Sequence, residues 1–368
     1  MKKKKILTIT TTGLARKEGI VTVILDYYSR LDKNKYDFHI IASGEYGYEL
    51  IHELEQIGVT IHCLPSRRSL PLSYYSEFIK LMKKERYDVI YIHGSSAIMS
   101  IELCIAKQFG CNIRISHSHN TKCAHEVIDR LLRPLFYRVI THSVACGKEA
   151  GRWLYGNKPF VILHNGREPA DYRYDDMTRK RVRDKLGLDE ACIAIGHVGN
   201  FNEQKNQKFL VDVFQELIKI HPNSKMFLMG DGRKRKEILL YSDKKGLSDR
   251  ICFTGNIANV SEMLQAMDVM VLPSIHEGLP LVVIEWQMSG LPSVISDKVT
   301  TECAYTDLVY FKSLDDTFYS WANLISQLAT TKCNRNLQSK NAIKVAGKVG
   351  FDINTDIAIL DNILSSEG

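Results

Sequence analysis

The chain has 368 residues, 45% hydrophobic and 25% charged, which excludes a disordered polymer and is too long for one ordinary core. No uninterrupted apolar run of about 18 residues occurs, so no membrane-spanning helix is expected. Nine cysteines without a C-x-x-C pair argue against a disulfide framework or zinc finger and for a reducing cytoplasm.

The opening MKKKKILTIT reads as a buried first strand: its apolar run is short and threonine-rich, and no cleavage site of a secretory leader follows. Val21–Leu31 has helical spacing, Tyr36–Ala42 reads as a strand, Glu49–Ile57 as a helix ended by Gly58, and Val59–Leu64 as a strand. An amphipathic helix is expected over Tyr74–Lys84, with strands at Asp88–His93 and Asn112–Ser116. Strand–helix alternation of this kind implies a parallel sheet covered on both faces.

The charged stretch 167–189 reads as a linker plus a charged helix. The alternation then restarts. Strands are expected at Cys192–Val198, Lys225–Met229, Ile251–Thr254, Val269–Pro273 and Ser293–Ile295. Helices are expected at Asn206–Ile220, Arg233–Lys245, Val260–Met267 and Pro280–Ser289. Near the end, Ile353, Ile357, Leu360 and Leu364 keep helical spacing. No repeat of fixed period relates the halves. The fold class is therefore α/β with two doubly wound, Rossmann-like domains, whose chemistry belongs in the loops after the strands.

Charge divides unevenly. Residues 1–190 hold 31 Lys+Arg against 22 Asp+Glu, and the remainder 18 against 20. Anionic partners are expected on the first half. Arg67–Arg86 adds Lys80, Lys83, Lys84 and Arg86 to a helix bearing Tyr75, Phe78, Ile79 and Met82, a candidate surface for anionic lipid. No basic–aromatic run or RNP signature points to nucleic acid.

The most informative segment is His276–Ser296, HEGLPLVVIEWQMSGLPSVIS. Gly278 lets backbone approach a ligand, Leu279 leads into Pro280, and Pro280 suits the first turn of a helix. Backbone N–H groups at that helix start form an anion site that fits a diphosphate. Glu277 precedes the helix and Glu285 lies two turns in. One carboxylate can reach a sugar and the other a ribose. Lys205, just beyond a strand, can set a point charge on a diphosphate and stabilise it as the bond breaks. No D-x-D stands in a loop after a strand, so no metal cofactor is expected.

This segment resembles the E-x7-E donor motif of glycosyltransferase family 4, a retaining family of GT-B fold. Gly196–Asn206 (GHVGNFNEQKN) is similar to its phosphate-binding loop, Met226–Gly232 (MFLMGDG) to its next strand and glycine turn at Gly230, and Cys252–Ser274 to its base-binding segment. His164–Tyr172 resembles the inter-domain crossing. Arg114–Thr121 (RISHSHNT) and Val144–Gly156 resemble the branch that makes capsules and exopolysaccharides.

The resemblance implies residues 1–170 as an acceptor-binding domain, 171–345 as a donor-binding domain, and 346–368 as a helix crossing back to the first. It implies His119 near the donor sugar, with His117 as the alternative, and Gly19 as a backbone contact. Asn256 and Val260 would meet the base. The family usually has an arginine where this chain has Asn200, so charge on the phosphates would be lower, with Arg233 or Lys234 as candidate substitutes. The partners implied are a nucleotide-sugar donor, most often UDP-linked, and a glycan or lipid-linked acceptor. The implied setting is cytoplasmic, with possible peripheral contact to an anionic membrane. Two alternatives share the architecture: a nucleotide-sugar 2-epimerase, and a donor-binding subunit weak in catalysis. A dehydrogenase is excluded because no G-x-G-x-x-G follows the first strand.

Overall fold

The computed structural model describes residues 3–14, 19–44 and 46–366. The chain forms two compact units, residues 1–166 with 353–368 and residues 167–352. Unit 1 contains β1 (Lys4–Thr10), α1 (Gly19–Arg30), β2 (Tyr36–Ser43), α2 (Tyr48–Gln56), β3 (Thr60–Leu64), α3 (Pro71–Glu85), β4 (Val89–His93), α4 (Ser100–Gln108), β5 (Ile113–Ser118), α5 (Glu126–Val139), β6 (His142–Ala145), α6 (Lys148–Tyr155) and β7 (Val161–Ile162). Unit 2 follows with α7 (Pro169–Tyr172), α8 (Asp176–Lys185), β8 (Ile193–Val198), α9 (Gln207–Ile220), β9 (Ser224–Met229), α10 (Arg235–Lys244), β10 (Ile251–Gly255), α11 (Val260–Ala266), β11 (Val269–Leu272), α12 (Leu281–Met288), β12 (Ser293–Ser296), β13 (Val309–Lys312), α13 (Phe318–Thr330) and α14 (Arg335–Val349). The last helix, α15 (Ile353–Ser365), belongs to unit 1.

Both sheets are parallel. The first has the order β3-β2-β1-β4-β5-β6-β7 and the second β10-β9-β8-β11-β12-β13. The strand order reverses between β1 and β4 in one and between β8 and β11 in the other. At such a reversal the loops leaving the two strands turn to opposite faces, and the crevice at their C-terminal ends receives ligands. Central strands are buried on both faces, as β4 shows from Val89 to His93.

Three sequence expectations need correction. The apolar side of α3 faces inward: Tyr74, Phe78, Leu81 and Met82 are buried in the sheet core, and Ile79 alone of the expected membrane face is exposed. The charged stretch 167–189 is more than a linker. Val182 and Leu188 enter the core of unit 2, and Arg183 is buried, donating to the carbonyls of Ala266, Asp189 and Cys192. The returning tail starts at 353, not 346. Residues 335–349 form α14, which Arg335 ties to unit 2 by donating to the carbonyls of Leu264, Gln265, Met267 and Ser289.

The divide at Gly166/Arg167 has a local cause. The Gly166 N–H donates to Asp356 of α15 at 2.7 Å, whereas the Arg167 N–H donates to the Phe351 carbonyl at 2.8 Å. Adjacent amides thus belong to different cores.

Candidate active site

In unit 2 the loop after β8 is stitched to the turn after β9. The Gly199 N–H donates to the Met229 carbonyl, and the Phe201 N–H to that of Asp231. Gly230 has φ +136, and a Cβ there would stand 2.3 Å from the Gly199 carbonyl oxygen. Only glycine fits, in conformation and in space. Asn200 and its neighbours are thereby held over the C-terminal ends of β8 and β9. The Asn200 carbonyl accepts from Gln207 Nε2 at 2.9 Å.

The loop after β11 meets the loop after β8 across the strand reversal. Lys205 Nζ lies 2.7 Å from Glu277 Oε1, both side chains being 15% exposed or less. Gln204 Nε2 donates to the His276 carbonyl at 2.9 Å and to Glu277 Oε2 at 3.1 Å, and the Ile275 N–H donates to the Gln204 carbonyl at 2.8 Å. A cation and a carboxylate that are remote in sequence therefore share one nearly closed spot. The two charges attract at ion-pair distance in a spot where water screens them little.

Gly278, Leu279 and Pro280 carry the chain from Glu277 to α12. Pro280 stands at the cap just before the helix, one residue earlier than the sequence suggested, and its carbonyl accepts from the Val283 N–H. Glu285 differs more from expectation. It is buried, and Arg167 Nε donates to its Oε1 at 2.7 Å. Asn256 is exposed directly after β10, and Val260 opens α11. The two candidate substitutes for an arginine at the Asn200 position follow β9 rather than β8. Lys234 is ion-paired with Glu203 and Glu237, which raises its pKa, and Arg233 is exposed.

In unit 1 the notable group is three histidines. His93 ends β4 and pairs in register with His117 of β5, while His119 follows the end of β5. Side chains two apart on a strand share a face, so the rings cluster: His117 and His119 centroids are 4.0 Å apart and His93 and His117 5.2 Å, both pairs tilted, while His93 and His119 stack at 5.1 Å. His93 Nδ1 is 2.9 Å from His119 Nε2, and Tyr91 Oη is 2.7 Å from His117 Nδ1. Burial lowers all three pKa values, that of His119 to about 3, and keeps the imidazoles neutral. Gly19 is the first residue of α1. Glu18 before it lies outside the described residues.

Sequence reasoning named Lys205, Glu277 and His119 separately, and the structure joins the first two. It missed Arg167, Gln204, His93 and Tyr91. The signals are slight: Arg167 lies in the segment that resembles an inter-domain crossing, and His93 ends a strand otherwise apolar and aromatic.

A solved structure shares this architecture over nearly the whole chain. HepE of Anabaena, crystallised in complex with UDP and glucose, superposes with a TM-score of 0.81 over 99% of this chain and all of its own, at 18% identity. The fold is GT-B. A family model described as "Glycosyltransferase Family 4" matches residues 17–171, and one described as "Glycosyl transferases group 1" matches 178–307. EpsF of Bacillus subtilis, named as a glycosyltransferase, is 28% identical over 98% of this chain and 96% of its own. The capsular polysaccharide biosynthesis glycosyltransferase CapH of Staphylococcus aureus is 26% identical over 92% and 93%. The chain belongs to glycosyltransferase family 4, in the branch that builds exopolysaccharides and capsules.

Proposed function

We propose that the protein transfers a sugar from a UDP-sugar to a glycan acceptor in polysaccharide synthesis, with retention of anomeric configuration and without a metal at the diphosphate. The observation that carries this reading is the Lys205–Glu277 pair at 2.7 Å beside the start of α12. Lys205 would turn to the diphosphate as negative charge grows on the leaving group, and Glu277 would hold hydroxyls of the sugar. Such preorganised charge acts on the transition state more than on the ground state. Asn200 and the backbone N–H groups at the start of α12 would face the phosphates, while Gly199 and Gly230, whose own N–H groups bond the Met229 and Gly255 carbonyls, hold the loop in place. Arg167 orients Glu285, which would take the ribose, and Asn256 and Val260 would border the base. On the acceptor unit, Gly19 would approach by backbone and His119 would bond a hydroxyl as a neutral imidazole. HepE, crystallised with UDP, supports the choice of nucleotide.

The acceptor would be carried on lipid. The basis is α5, whose Val127, Ile128, Leu131 and Leu135 are exposed and share one face, with exposed Arg130 and Arg138 beside them. This replaces α3 as the surface that meets an anionic membrane.

Thermal unfolding with nucleotide diphosphates tests the donor site. UDP at 100 times its dissociation constant should add about 2.7 kcal/mol, and the gain should shrink in Glu285→Ala. Equal stabilisation by ADP, GDP and UDP, unaffected by that substitution, would reject the site.

A further inference from the structure

Three neutral imidazoles on one sheet face are more than hydroxyl binding by His119 requires. His93 and His117 are fully buried, and the Nε2 atom of each has no hydrogen-bond partner. Buried polar atoms are rarely left so. One nitrogen from each of His93, His117 and His119 can be chosen so that all three lie within 4.8 Å of one another. We propose that these three side chains form a binding site for a divalent transition-metal ion of the zinc type.

Chemistry and geometry both fit. Neutral imidazole is the ligating form, and three histidines with one open position are a known zinc donor set. With Zn–N near 2.1 Å, tetrahedral ligands stand about 3.4 Å apart. His93 Nδ1 and His119 Nε2, at 2.9 Å, would spread by a few tenths of an ångström, and a nitrogen of His117 lies within the 4.8 Å that spans all three. Metal-bound histidines hold their other nitrogen in a hydrogen bond that fixes the ring. Tyr91 Oη supplies that contact to His117 Nδ1 at 2.7 Å, which leaves Nε2, the unpartnered atom, to ligate. His119 is only partly buried and gives the ion its way in. The ion would displace the His93–His119 hydrogen bond and compete with His119 for substrate, so bound zinc would restrain transfer. This site is separate in kind from the diphosphate, which Lys205 serves.

The test is titration of the purified, metal-stripped full chain with Co2+, read by absorption, and with Zn2+ against a chromophoric chelator. No donor or acceptor is present, so failure here leaves the transfer reading untouched. We expect one ion per chain, with the d–d bands of four-coordinate cobalt and no thiolate charge-transfer band. His117→Gln and His119→Gln should each weaken binding at least a hundredfold, and Tyr91→Phe about ten- to a hundredfold. His119, partly exposed, provides the variant that should fold if His117→Gln does not. Absence of d–d bands, a thiolate band from the cysteines, or unchanged affinity in His119→Gln would each overturn the proposal.

Discussion

Lys205 and Glu277 neutralise each other in the absence of substrate, so replacing either does more than remove one contact. Lys205→Ala should lower turnover by about 10²–10³-fold, the scale of one lost preorganised electrostatic donor, and should leave UDP affinity less affected. Glu277→Ala should abolish transfer while nucleotide binding persists. Steady-state rates and UDP titration of both variants decide this, and unchanged turnover in either removes that residue from the reaction. Both positions were legible in the sequence because their chemistry sits inside short motifs. Arg167 was not, since its role comes from a partner 118 positions away.

His197 adds a pH dependence at the same scale. It is fully buried, its Nδ1 is 2.9 Å from the Val271 carbonyl, and burial lowers its pKa from 6.5 to about 4. The unfolded chain takes up a proton below pH 6.5 while the folded one stays neutral to about pH 4. Its contribution to stability is thus complete above 6.5 and declines as pH falls through that window, by up to about 3 kcal/mol. His197→Gln should flatten this part of the denaturation-midpoint profile of unit 2. An unaltered profile would show that other groups govern acid unfolding.

Among the elements, α15 carries the most unusual polar group. Asp356 is buried and accepts from Tyr27 Oη at 2.9 Å, from the Gly166 N–H at 2.7 Å and from the His164 N–H at 3.2 Å. Asp356→Ala would strand three donors, at about 1–3 kcal/mol for each one left unsatisfied. Amide exchange should speed up throughout unit 1 in this variant and in a chain truncated before 353. Exchange unchanged in both would mean that unit 1 is stable without its last helix. The periodicity of this helix was readable from the sequence. Its docking on Tyr27, 329 positions from Asp356, was not, because nothing in i, i+4, i+7 spacing says which core receives the face.

The helix α5 was missed for a related reason. Its exposed Val127, Leu131 and Leu135 and buried Phe136 put apolar residues on two sides, and Pro134, a residue that reads as a helix breaker, lies inside it, so no single stripe stands out. The opposite error occurred at α3, where a basic and apolar helix suggested a membrane surface but spends its apolar face on the sheet. Leu131→Glu with Arg130→Glu should abolish sedimentation with anionic vesicles, and Lys80→Glu with Lys83→Glu should have less effect. Binding of the wild-type chain should fall with added salt. A wild-type chain that stays in solution with anionic vesicles at low salt would refute the lipid-facing role of α5.

At the scale of the whole molecule, the two parallel sheets were legible because buried strands and amphipathic helices alternate in the sequence. The strand orders were not, since alternation does not say where a sheet reverses. That reversal matters most, for it brings the loop after β8 to the loop after β11 and so joins Lys205 to Glu277. In the proposed reaction this junction stabilises the departing UDP, and the acceptor enters from the face the nucleotide leaves. The most direct measurement is the anomer first released when the purified protein hydrolyses an α-linked UDP-sugar in the presence of EDTA, followed by proton NMR before the free sugar mutarotates. Metal-independent retention requires that the α-anomer be released first, and that this release be lost in Glu277→Ala. Initial appearance of the β-anomer, or hydrolysis that requires an added divalent cation, would contradict it.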